Sequence, residues 1–67
     1  MTAAPFDEAD VYFEFAVVGS VVRAAAIDVA TGLEVSVIGP AGAARLDLER
    51  LALAKLKTRL ARHPSEP

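Results

Sequence analysis

The sequence predicts an α+β fold: a three-stranded antiparallel β-meander, in the order 1-2-3, with one C-terminal α-helix packed on one face (β-β-β-α). Three observations carry this. Val11-Tyr12-Phe13-Glu14-Phe15-Ala16-Val17 alternates large apolar residues with Tyr, Glu and Ala at a period of two, as in a half-buried strand. Gly19-Ser20 and Ala30-Thr31-Gly32 punctuate the apolar stretches at hairpin spacing. From Leu48 onward, Leu48, Ala52, Leu56 and Leu60 recur every fourth residue, the period of a helix with one buried stripe.

The first strand is expected over 11–18 and the second over 21–28. Gly19 at the first central position suits a two-residue type II′ turn, because glycine tolerates positive φ. That turn sets Val18 opposite Val21, and places Phe13, Phe15 and Val17 on one face with Ala26, Ala24 and Val22. The third strand is expected over 33–38. A four-residue second loop, with Gly32 left-handed and Asp28 accepting loop amides, puts Val35 and Val37 opposite Ala26 and Ala24. A three-residue loop would turn both valines to the other face, so a continuous apolar face selects four.

Gly39-Pro40-Ala41-Gly42 is expected to end the strand, and a helix over 47–62 to follow. Asp47 is the expected N-cap, with Leu46 and Leu51 forming a hydrophobic staple, and Pro64 is the stop. The expected core is Phe13, Phe15, Val17, Val22, Ala24, Ala26, Val35, Val37, Leu48, Ala52, Leu53, Leu56 and Leu60. Residues 1–10 read as a flexible leader, 11–62 as a single domain and 63–67 as a flexible tail.

Sixty-seven residues allow one small domain. The hydrophobic fraction is 54%, but 14 of those residues are alanine, which leaves a thin two-layer core. Without cysteine there is no disulfide, thiolate metal site or cysteine nucleophile. The longest uncharged runs, Phe15 to Val22 and Val35 to Ala44, are too short to span a bilayer, and no signal-peptide pattern opens the chain. The expected location is the cytoplasm. The net charge of −2 divides unevenly, with six acids and one base in residues 1–34 against three acids and six bases in 35–67. A dipolar domain of this kind argues against general nucleic-acid binding and for a complementary protein surface.

The motifs that suggest chemistry lack the context that chemistry requires. Asp7-Glu8-Ala9-Asp10 spells a helicase signature, without a phosphate loop or a second domain. Gly39-Pro40-Ala41-Gly42 resembles a phosphate-cradling turn, but Pro40 has no amide and Asp47 would repel an anion. His63 is the sole histidine, and Asp28 and Glu34 read as a loop cap and a solvated side chain. Ser20 and Ser36 have no base placed beside them. Arg45, Arg50, Lys55, Lys57, Arg59 and Arg62 wrap around the helix, and Asp47 and Glu49 dilute them. We therefore expect no enzyme activity, cofactor or metal.

What stands out is the sheet face away from the helix. Tyr12, Val18, Val21, Arg23, Ile27 and Ile38 lie there in the selected register, an interaction face too apolar for a bare surface. The order Tyr12-Phe13-Glu14-Phe15, Ala26-Ile27-Asp28, Thr31-Gly32-Leu33-Glu34-Val35, Gly39-Pro40 and Leu48-Glu49-Arg50-Leu51-Ala52-Leu53-Ala54-Lys55-Leu56 resembles a family of short uncharacterised alphaproteobacterial proteins. The resemblance spans about residues 12–60 and implies one compact domain of unknown function, with no catalytic motif to carry onto this chain. The expected function is a non-catalytic protein-interaction module, acting as a homodimer or with another protein and not at a membrane. The alternatives are a small-ligand-binding or enzyme accessory domain, and after these a weak nucleic-acid binder through the basic helix.

Overall fold

A computed structural model describes residues 10–62 of the chain. The expected leader (apart from Asp10) and tail, and with them His63 and Pro64, lie outside the described residues. Strands β1 (Val11–Val18), β2 (Val21–Asp28) and β3 (Glu34–Pro40) form one antiparallel sheet in the order β1-β2-β3, and helix α1 (Arg45–Arg62) follows.

The register is the one that apolar continuity selects. Phe13, Phe15 and Val17 stand opposite Ala26, Ala24 and Val22, and Val35 and Val37 opposite the same two alanines. Gly19 has φ 63° and Ser20 is not at positive φ, so the first turn is type II′ and not type I′. Gly32, at φ 76°, closes the second loop, where the Asp28 amide donates to the Leu33 carbonyl at 2.8 Å. Asp28 is buried, and its carboxylate accepts from the Thr31 hydroxyl at 2.7 Å and the Thr31 amide at 3.2 Å. The same hydroxyl accepts from the Leu33 amide at 3.1 Å, so two side chains organise the whole loop.

The helix lies over β2 and β3. Ala24, Ala26 and Ala52 are fully buried, and these small side chains let the helix approach the central strand closely. Leu56 fills one cluster with Val11, Ala26, Val35 and Ala52, and Leu48 joins Val22 and Ala24 in a second.

The structure corrects the expected helix start. The helix begins at Arg45, and the Ala44 carbonyl accepts from the amides of Asp47 and Leu48. Ala44 is therefore the N-cap and Asp47 lies in the first turn, where its charge complements the helix dipole without capping. Leu46 and Leu51 are both exposed and form no staple. Strand β3 also runs on through Gly39 and Pro40. Proline is tolerated because β3 is an edge strand and position 40 turns its nitrogen away from β2, as the bonding parity described below shows.

Two corrections concern burial. Val17 is 68% exposed, and Phe13 and Phe15 are only half-buried, because the helix does not lie over β1. Val11, which the expected core leaves out, is buried in it.

Candidate interaction surface

On the helix-free face the register makes four rows across the sheet. They are Tyr12-Ile27-Glu34, Glu14-Ala25-Ser36, Ala16-Arg23-Ile38 and Val18-Val21-Pro40. All six residues singled out from the sequence share this face, but they fall into two groups. Val18, Val21, Arg23 and Ile38 adjoin one another at the Gly19 end, while Tyr12 and Ile27 pair at the other. The Glu14-Ala25-Ser36 row separates them. Tyr12, Val18 and Ile38 are each about two-thirds exposed, Val21 is less so and Ile27 is half-buried. Ala25 is buried although no helix covers it, a short side chain shaded by longer neighbours.

Bonding parity identifies a second feature. In an antiparallel ladder successive residues point their backbone groups alternately toward one neighbour and the other. The Val29 amide donates to the Asp10 carbonyl at 3.0 Å, so even-numbered β1 residues bond β2. Val11, Phe13, Phe15 and Val17 consequently turn their N–H and C=O groups to the open edge. Across the sheet, the Asp28–Leu33 bond fixes Glu34, Ser36, Ile38 and Pro40 as outward on β3.

The two edges are not equivalent. Lys55 Nζ donates to the outward Ser36 carbonyl at 2.8 Å, and Pro40 offers no donor, so β3 is blunted. The β1 edge has neither lysine nor proline, and its register runs unbroken through eight pairs.

Each face carries an open depression beside β1. On the helix side, Phe13, Leu46, Glu49, Arg50 and Leu53 line one of about 260 Å³. On the helix-free side, Glu14, Phe15, Ala16 and Arg23 line one of about 390 Å³. The Arg45 guanidinium lies 4.3 Å from the Phe15 ring centroid, a cation–π contact on the helix side. Among the described residues neither Glu14 nor Arg23 has an ion-pair partner. Also among the described residues, no three His, Cys, Asp or Glu side chains converge as metal ligands. Among them, too, no helix is long and apolar enough to cross a membrane.

Residues 8–63 match the family described as a domain of unknown function, DUF6898. The chain belongs to that family. The match takes in all three strands and the helix, so the family is defined over the β-β-β-α unit itself. No curated protein and no solved structure matches the chain.

The sequence reading missed the exposed helix-side flank of β1 and the Lys55 contact with β3. Alternation assigns the first only to a face and cannot tell that the helix leaves it uncovered. The second depends on the helix's lateral position, which the sequence does not encode locally.

Proposed function

We propose that this DUF6898 domain is a non-catalytic protein-interaction module of the bacterial cytoplasm, in keeping with its resemblance to alphaproteobacterial sequences. One observation carries the reading. Val18 and Ile38 are each about two-thirds exposed and, with Val21, adjoin one another at the Gly19 end of the helix-free face. Contiguous apolar surface of this kind marks contact sites, whereas isolated apolar residues do not. A small-ligand role is supported less well, since the two depressions beside β1 are open and each is lined by only four or five residues. The basic helix also favours protein contact over nucleic acid, because Arg45 and Lys55 are engaged within the fold.

Affinity capture from the native host tests the reading, comparing the wild-type chain with a Val18→Thr/Ile38→Thr variant of equal helicity. The expected result is a defined protein retained by the wild type and lost from the variant. An identical set of proteins on both would remove the surface from consideration.

A further inference from the structure

We propose that the occupant of the β1 edge is a second copy of this chain, paired antiparallel through β1 about a two-fold axis at Phe15. The result is a six-stranded sheet in the order 3-2-1-1-2-3, with both helices on one side. This inference rests on the interaction reading above and names its partner.

Parity restricts the pairing. The outward groups belong to Val11, Phe13, Phe15 and Val17, so a symmetric ladder must match odd residues with odd residues, and the axis passes at a residue. An axis at Glu14 sets two carboxylates directly opposite each other, which is destabilising. An axis at Phe13 leaves Val17 and Val18 beyond the partner strand, against residues that precede Asp10. An axis at Phe15 sets Tyr12 opposite Val18, Phe13 opposite Val17, and Glu14 opposite Ala16. The three exposed large apolar residues of β1, Tyr12, Val17 and Val18, are then covered together. The Phe13–Val17 pair and the Phe15 pair close the open backbone groups of Phe13, Phe15 and Val17.

Charge complementarity selects the same register. Glu14 of one copy lies beside Ala16 of the other, whose neighbour on β2 is Arg23. Two strand spacings, about 10 Å, separate Glu14 from the second copy's Arg23, within joint reach of the two side chains. Ala16 is too small to obstruct them, and the depression between Glu14 and Arg23 is the space that the ion pair would fill. On the opposite face, the second copy's Val17 lies against Phe13, on the open side of the depression that Leu46 and Leu53 help line.

Sedimentation of the full chain tests the proposal, using Glu14→Arg and Arg23→Glu as single variants. Both positions are exposed, so the fold should survive, and circular dichroism checks this. The wild type is expected to be dimeric at about 0.5 mM, and each single variant to dissociate at least about tenfold more readily, because symmetry repeats each like-charge contact. An equimolar mixture of the two variants should regain the dimer. The arginine introduced in one chain then meets the glutamate introduced in the other, and the unaltered Arg23 of the first chain meets the unaltered Glu14 of the second. As a further readout on the wild type, dimerisation should slow hydrogen exchange at the Phe13, Phe15 and Val17 amides while leaving Ser36 and Ile38 unchanged. A wild type that stays monomeric would overturn the second copy, and the capture experiment would still judge the interaction reading. A dimer that mixing does not restore, or one that protects the β3 amides instead, would overturn the β1 register.

Discussion

At the scale of single residues, Leu56 carries the most packing. It is the largest fully buried side chain among the described residues, and it packs with both the central strand and β3 through Ala26 and Val35. Leu56→Ala should lower stability by about 2–5 kcal/mol, most of what a domain this small possesses. Thermal denaturation followed by circular dichroism should show a fall of at least about 10 °C or no folded baseline. Leu51→Ala, at an exposed position on the same helix, should change stability by less than about 0.5 kcal/mol. Asp28 is the one buried charged residue among the described residues, and it serves the loop. Asp28→Ala leaves the Thr31 hydroxyl and amide without their acceptor and should destabilise by about 1–2 kcal/mol, with Asp28→Asn recovering part of the loss. The loop role of Asp28 was legible because Asp before Thr-Gly is a turn pattern. The exposure of Val17 was not. Alternation assigns Val17 to the helix side of the sheet, but whether a helix covers that end of β1 is a question of tertiary placement.

Among the elements, the strands were more legible than the helix boundary. Strand pairing has a period of two, so an error of one residue in either loop would have turned the phenylalanines or the valines of β3 to the opposite face. A helix start has no such constraint, and Asp47 looked like a cap because its side chain suits one. The short connection decides otherwise. The Ala41 amide donates to the Ser20 carbonyl at 2.9 Å and the Ala43 amide to the Pro40 carbonyl at 2.9 Å, and that turn delivers the chain into helical geometry at Arg45. Alanine is a poor N-cap, so the first amides of α1 have no side-chain acceptor at Ala44. Ala44→Asp should therefore stabilise the domain by about 0.5–1 kcal/mol, read as a higher urea midpoint with an unchanged slope. An unchanged midpoint would show that Asp47 already satisfies these amides in solution.

For the whole molecule, the helix lies off-centre. It is anchored by the short β3–α1 connection and drawn onto the alanines of β2, so it covers two strands and leaves the third with half-buried phenylalanines and an open edge. A second copy added at β1 would bring each helix to flank a shared strip of Phe13, Phe15 and Val17. Folding and association are then coupled, since ligation of the native state stabilises it by mass action. At a chain concentration about a hundredfold above the dimer Kd, the native state should gain about 2.7 kcal/mol, which in a domain of this size raises the Tm by roughly 10–20 °C. The wild-type Tm should accordingly climb as the protein is concentrated from about 5 µM to about 0.5 mM, while the Glu14→Arg variant should melt at nearly the same temperature throughout. Parallel curves for the two chains would mean that the open edge of β1 contributes nothing to stability, and that the exposed apolar residues await a different protein.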